Sequence, residues 1–159
     1  MLDYFGEIAI FHNITFNYGK KDHAIVSGRP CIVLNNDLDL PIILPLTTVY
    51  HSGRLKPYYY EVKKNDMRIL NKNFPYKDVC YVNINGITRA NQYYYDVIAY
   101  LNYNTYCKLL KYIDSNYMFL SDKAKELYAL ILDDLKEHEK TLNRAVNNKV
   151  KRLNRYILQ

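Results

Sequence analysis

Three side chains suited to holding a phosphate stand at the ends of two apolar segments. Arg29 precedes the run CIVLNN, and Thr47 and Thr48 end the run PIILPLTT. An arginine is permanently charged, and its planar fork of donors fits a phosphate. Threonine hydroxyls can donate to or accept from phosphate oxygens. These residue types point to a site that stabilises negative charge, which is the main demand of phosphoryl transfer.

Such a site requires the two segments to be neighbouring antiparallel strands. The residues 31–36 are apolar and β-branched, as buried strands are, and Pro30 fits the first position of a strand. The short connection 37–40 permits the following strand to return antiparallel. Arg29 and Thr47 would then meet at one edge of the pair. Pro45 predicts that the second strand is an edge strand or carries a bulge.

The elements around these segments change character along the chain. Strand candidates lie at 6–12, 57–63 and 78–88, and the polar stretch 17–28 is predicted to be a loop. Short strands separated by turns indicate a small barrel or a curled sheet.

After residue 100 the apolar period becomes helical. Leu109, Leu110 and Ile113 share one face of a helix predicted over 105–117. Ser121 is the expected N-cap of a second helix. Apolar residues then recur at helical spacing: Leu127, Ile131, Leu135, Leu142, Val146, Val150, Leu153 and Ile157. The prediction is an α+β fold with a barrel domain over 1–117 and a helical extension over 118–159.

Composition places the chain among globular proteins and identifies no partner. It has 159 residues, 49% of them hydrophobic, and a net charge of +6, which is compatible with a polyanionic ligand without specifying one. Cys31, Cys80 and Cys107 form no CxxC pair, so we expect no disulfide framework and no metal site, with the first two as buried thiols. The N-terminus does not resemble a signal peptide, and no apolar run is long enough to span a membrane, so the expected location is the cytoplasm.

Chemistry alone leaves a plainer interpretation open for the three candidate residues. An arginine before a strand is usually a solvated surface residue, and threonines are ordinary strand formers. The order of the surrounding motifs is more specific. "GEI" at 6–8, a polar loop, "GRPCIVLNND" at 28–37 and "IILPLTT" at 42–48 together resemble the MazF/PemK family of bacterial toxin endoribonucleases. The ending "PLTT" also resembles the related ToxN/AbiQ toxins.

That resemblance implies a fold, a reaction and partners. The fold would be an SH3-like β-barrel with helices, usually a homodimer. The reaction would be cleavage of single-stranded RNA without metal or cofactor, leaving 2′,3′-cyclic phosphate and 5′-hydroxyl ends. A cognate antitoxin, either a protein or a structured RNA, would bind and inhibit the toxin. Arg29 matches the catalytic arginine of the family, Thr47 matches its catalytic threonine, and Thr48 falls where ToxN-like members carry a second hydroxyl.

The same resemblance suggests RNA-binding residues outside the catalytic pair. The family's loop before the arginine covers the RNA groove, and the loop after the threonines would border it. The late strand departs from the family pattern, because Ile87 stands where members often carry an arginine, although Arg89 lies close. The expected RNA-binding residues are Tyr18, Lys20, Lys21, His23, His51, Arg54 and Arg89.

Two other function classes fit a chain of this kind. One is a toxin of the CcdB type, which binds and poisons DNA gyrase without cutting anything. The other is a non-toxic SH3-like binding module. Neither needs an arginine and a threonine at adjoining strand ends, so the motifs favour the nuclease.

Overall fold

The computed structural model describes residues 4–17, 22–25, 27–35, 40–47, 58–70 and 78–137. Within these ranges the chain forms ten strands and a first helix, α1, at Tyr103–Ser115. Residues 122–137 form a second helix, α2, as far as the described part extends. The strands are β1 Tyr4–Phe11, β2 Ile14–Asn17, β3 Asp22–Ile25, β4 Arg29–Asn35, β5 Ile42–Thr47, β6 Tyr59–Lys63, β7 Met67–Ile69, β8 Val79–Asn83, β9 Thr88–Arg89 and β10 Asp96–Asn102.

One curled antiparallel sheet organises the fold. Its strands follow the order β6-β8-β5-β4-β1-β10-β7, with β9 beside β5, while β2 and β3 pair separately. The result is a half-barrel with helices, which confirms the predicted α+β class. The pairing of β4 with β5 is antiparallel, as the predicted meeting of Arg29 and Thr47 requires.

The sheet buries apolar side chains on both of its sides. On the side that we call the helix side, Tyr60 of β6 contacts Tyr112 of α1, with ring centroids 5.2 Å apart. The hydroxyl of Tyr106 in α1 donates to the Leu34 carbonyl at 2.7 Å. The opposite side carries a cluster that β2 helps to cover. That cluster contains Ala9, Phe11, Ile14, Phe16, Cys31, Val33, Ile43 and Ala90.

Two strand predictions are corrected by the structure. The stretch 17–28 is not all loop, because β3 lies within it and pairs with β2 from Ile14↔Ile25 to Asn17↔Asp22. Backbone pairing does not require an apolar run, so polarity concealed this strand. The predicted strand 78–88 is broken by a 3-10 turn at Ile84–Gly86, where the Asn83 side chain accepts from the Asn85 backbone N–H at 3.0 Å.

The prediction that Pro45 marks an edge or a bulge is also wrong. Pro45 lies opposite Cys31 in the regular part of the β4–β5 ladder, and β5 is an interior strand. On the other side of β5, Ile42 and Ile43 pair with β9, whereas Leu46 and Thr47 pair with β8. Pro45 falls between these two partners, where no ladder bond needs its missing N–H.

The helices begin where side chains can cap them. Asn102 accepts from the Thr105 N–H at 2.8 Å at the start of α1, and Ser121 accepts from the Ala124 N–H at 3.3 Å. The second contact confirms Ser121 as an N-cap. Within the described residues, no helix combines the length and the apolar character needed to cross a membrane.

The chain divides into two compact units, residues 1–127 and 128–159. The first turns of α2 belong to the first unit, in which Ala124 and Leu127 are buried. The predicted division into 1–117 and 118–159 stays a prediction. In the second unit Ile131 is buried and Leu135 is half-buried. The predicted apolar positions from Leu142 onward lie outside the described residues.

We expect Leu109→Ala to destabilise the protein by about 2–5 kcal/mol, because it removes a fully buried side chain from α1 and leaves a cavity. Leu110→Ala is the matched control: it makes the same chemical change at the next position, which is half-buried, and should cost clearly less. Urea unfolding of both variants measures the difference. Equal losses at the two positions would contradict this view of the α1 packing.

Candidate functional site

The register of β4 and β5 brings Arg29 and Thr47 together. The last residues paired between β4 and β5 are Cys31 and Pro45, two positions along from Val33 and Ile43. The same register, extended two residues beyond that last pair, would set Arg29 opposite Thr47. The Arg29 Nη1 donates to the Leu46 carbonyl at 3.1 Å, which is the peptide group that leads into Thr47. Both side chains are half-buried. A cation and a hydroxyl therefore share the end of this strand pair.

The same register extends across two further strands. Thr47 lies opposite Tyr81 of β8, and Tyr81 lies opposite Glu61 of β6. Directly opposite residues of an antiparallel ladder project to the same side of the sheet. Arg29, Thr47, Tyr81 and Glu61 thus form one row on one side, which we call the cross-strand row. Neighbouring positions in it are about 4.8 Å apart.

The end of the cross-strand row that carries Glu61 faces solvent. Along β6 and β8 the alternate residues Val62, Cys80 and Val82 are buried on the helix side. Tyr81 is half-buried and Glu61 is exposed. This alternation is that of a sheet with one covered and one solvated side.

At its other end the row is closed by the buried cluster. Arg29 lies opposite Phe11 of β1, which is fully buried. The arginine therefore stands at the border between an apolar wall and an open surface. A cation in such a position interacts more strongly with an anion than one surrounded by water.

Gly28 lets the chain before β4 lie close to the end of β1. A Cβ atom at Gly28 would lie 2.8 Å from Ile10 Cγ2 and 2.9 Å from His12 Cε1, closer than side chains normally approach. The glycine before Arg29 therefore lets the end of β1 pack against the start of β4. A side chain at position 28 would force these groups apart.

The side chains at residues 85–88 have a structural role here. Ile87 is buried. The Asn85 side chain accepts from the Ser121 N–H at 2.9 Å and donates to the Phe119 carbonyl at 3.4 Å. The Thr88 hydroxyl donates to the Thr15 carbonyl at 3.2 Å. These side chains hold the turn before α2 and the strand β2.

The structure does not bring Arg89 to the cross-strand row. Arg89 lies opposite Ile42, at the other end of β5 from Thr47, and its Nη1 donates to the Leu40 carbonyl at 3.1 Å. Among the other predicted RNA contacts, His23 lies on β3 opposite Phe16. The remaining predicted site residues lie outside the described part of the chain: Tyr18, Lys20, Lys21, Thr48, His51 and Arg54.

Cys31 lies two residues from Arg29 but is not suited to act as a nucleophile. Burial raises the pKa of its thiol well above the ordinary value, and the nearby Arg29 charge lowers it only in part. The thiol donates to the Arg29 carbonyl at 3.5 Å. Burial, with a smaller contribution from Asp66, likewise raises the pKa of Cys80 to about 12. Both are buried free thiols, as predicted.

The row contains two residues that sequence reasoning missed, Tyr81 and Glu61. Alternation in DVCYV and YYEVK could have assigned their sides of the strands. Their alignment with Thr47 depends on long-range register, which no local pattern specifies. The arrangement as a whole offers a cation and a hydroxyl for a phosphate, an aromatic ring beside them and a carboxylate beyond. Over the described residues, no group of three or more His, Cys, Asp or Glu is placed to hold a metal ion.

Comparisons with known proteins found no counterpart of this chain. No family model, no curated protein and no solved structure matches it. The chemistry of the cross-strand row is therefore derived from its own side chains and from the order of the motifs.

The two buried thiols predict a loss of stability in alkali. The pKa values of both thiols are raised in the folded state. As the pH rises, the thiols of the unfolded chain therefore lose their protons at a lower pH than those of the folded chain. Their contribution is fully present below the unfolded pKa, near 9, and is lost as pH rises through the folded pKa. Urea midpoints measured between about pH 8 and pH 11 should fall.

The matched control is the double variant Cys31→Ala, Cys80→Ala, which keeps every tyrosine and lysine that titrates in the same range. Its midpoint should decline less steeply with pH than that of the parent. Identical slopes would show that the thiols do not ionise on unfolding.

Proposed function

We propose that the protein is a MazF/PemK-like toxin endoribonuclease, built on an SH3-like barrel, that cleaves single-stranded RNA without a metal ion. One observation carries the proposal. The Arg29 guanidinium donates to the carbonyl of Leu46, the residue before Thr47, just beyond the last pair of the β4–β5 ladder. The motif order of the sequence supports the same activity.

The proposed reaction is an internal transesterification. The 2′-oxygen of a ribose forms a bond to the adjacent phosphorus while the bond from phosphorus to the 5′-oxygen breaks. The 2′-hydroxyl loses its proton and the departing 5′-oxygen gains one. The products are a 2′,3′-cyclic phosphate and a 5′-hydroxyl.

The residues at the end of β4 and β5 supply what this reaction needs. Negative charge builds on the two non-bridging oxygens in the transition state. The Arg29 fork can donate to both of them, and the Thr47 hydroxyl can donate from the neighbouring strand. Since one guanidinium nitrogen is already bonded to Leu46, little reorganisation is needed as charge develops.

A toxin of this kind acts on cellular RNA in the cytoplasm and requires a cognate antitoxin. The partner would be a protein or a structured RNA, and the active form would be a homodimer or an antitoxin complex. The rival classes, a gyrase poison and a non-toxic binding module, give no reason for the Arg29–Thr47 arrangement.

The direct test is to incubate the purified protein with a long RNA in excess EDTA and to identify the ends. We expect cuts that leave 2′,3′-cyclic phosphate and 5′-hydroxyl ends, because the attacking group is the ribose itself. Activity that disappears in chelator and returns with magnesium would contradict the metal-independent mechanism. Absence of cleavage, together with inhibition of gyrase, would favour the CcdB-type alternative.

Arg29→Ala and Arg29→Lys should each lower the cleavage rate by about 10²–10³-fold, since lysine keeps the charge but loses the fork. Thr47→Val should reduce the rate as well, because it removes only the hydroxyl. Arg68→Lys on β7, at the far edge of the sheet, is the matched control and should retain the parent rate. Rates are measured on a fluorescent RNA, with folding checked by circular dichroism. A folded Arg29→Ala protein with the parent rate would exclude the proposed catalytic role.

A further inference from the structure

We infer that the cross-strand row continues the proposed active site into a base-binding subsite, in which Tyr81 stacks on one base and Glu61 selects guanine. The inference rests on the endoribonuclease function proposed above. It adds a specificity determinant that the motifs do not contain.

The cross-strand row has the length of one nucleotide and presents its side chains in a matching order. A phosphate held by Arg29 and Thr47 has Tyr81 directly across the next strand and Glu61 one strand further. Two strand spacings from Thr47 to Glu61 amount to about 10 Å. A single nucleotide, extended from its phosphate through the ribose to the far edge of the base, spans a comparable length. One nucleotide laid along the row therefore has its base over Tyr81 and its edge at Glu61.

Tyr81 has the features of an aromatic residue on which a base can stack. Its ring is half-buried and is carried by a strand that pairs on both sides, with β5 and with β6. A ring on such a rigid element loses little conformational entropy on binding. Single-stranded RNA is commonly held by stacking its unpaired bases on aromatic rings of this kind.

The negative charge of Glu61 determines which part of a nucleotide it can contact. An exposed carboxylate repels phosphates and accepts hydrogen bonds only, so it fits the edge of a base and not the backbone. Guanine offers two adjacent donors, N1–H and an N2 amino hydrogen, which match the two oxygens of a carboxylate. Cytosine and adenine offer one amino group each, and uracil offers no amino group. The row therefore runs from a cation for the phosphate to an acceptor for guanine.

The test of Glu61 compares cut positions on one long RNA. The parent should show guanine enriched at one fixed position beside the cut, and Glu61→Gln should lower cleavage at those sites by about tenfold relative to other sites. Glu126→Gln, the same change at an exposed position of α2, is the matched control and should reproduce the parent pattern. An unchanged pattern in Glu61→Gln would overturn the assignment of Glu61.

The test of Tyr81 separates its ring from its hydroxyl. Tyr81→Phe keeps the ring and should bind and cleave RNA within about twofold of the parent, whereas Tyr81→Leu should raise KM by about tenfold with a smaller change in kcat. Tyr100→Leu, at a half-buried tyrosine of β10, controls for loss of a ring elsewhere in the sheet. Equal defects in Tyr81→Phe and Tyr81→Leu would overturn the stacking role.

These outcomes are distinguishable from failure of the proposed function. If the parent protein does not cleave RNA, the endoribonuclease proposal and this subsite fall together. If the parent cleaves RNA and the Tyr81 and Glu61 variants match it, only the subsite is wrong.

Discussion

The antiparallel pairing of β4 with β5 is the constraint on which the candidate site depends. Arg29 and Thr47 are distant in sequence and belong to separate strands. The paired residues from Val33↔Ile43 to Cys31↔Pro45 lead the two strands to within two residues of Arg29 and Thr47, and the Arg29 side chain donates to the Leu46 carbonyl. A one-residue slip would send one of the two side chains to the opposite side of the sheet. Because β4 is buried on both of its sides, such a slip would exchange the side chains that pack on the two sides and disrupt both, so core packing protects the site geometry.

The two sides of the sheet differ in burial at β6 and β8, whereas both sides are buried at β4 and β5. On β6 and β8 the buried residues Val62, Cys80 and Val82 hold the strands to the core, while Tyr81 and Glu61 alternate with them toward solvent. Substitution on the solvated side therefore removes little packing energy.

The part of the fold that local patterns determine could be predicted from the sequence. The strands at residues 31–36 and 41–48, the first helix and the N-cap Ser121 each have a signal within a few residues. The meeting of Arg29 with Thr47 was also accessible, because a short connection joins their strands. Tyr81 and Glu61 were not, since their alignment depends on pairings of β5 with β8 and of β8 with β6 across long sequence separations.

Other errors of prediction have the same physical origin. Pro45 was expected at an edge because proline lacks a ladder donor, yet it occupies an interior strand where the partner changes from β9 to β8. The polar composition of residues 17–28 concealed β3, whose pairing with β2 uses backbone groups. Proline does lack a ladder donor, and polar runs usually are loops. Here the pairing of distant strands tolerates the proline and places a polar segment in a strand.

The hydrogen bond of Arg29 lowers the entropy that its side chain would lose on binding an anion. A long, solvated side chain would lose much rotamer entropy when it binds a phosphate. The bond to the Leu46 carbonyl restricts the guanidinium before any anion binds. That restriction is established during folding, by the same strand pairing that aligns Thr47. The sheet therefore holds a restrained cation at the end of two interior strands, where a mobile cation would have to be ordered each time an anion binds.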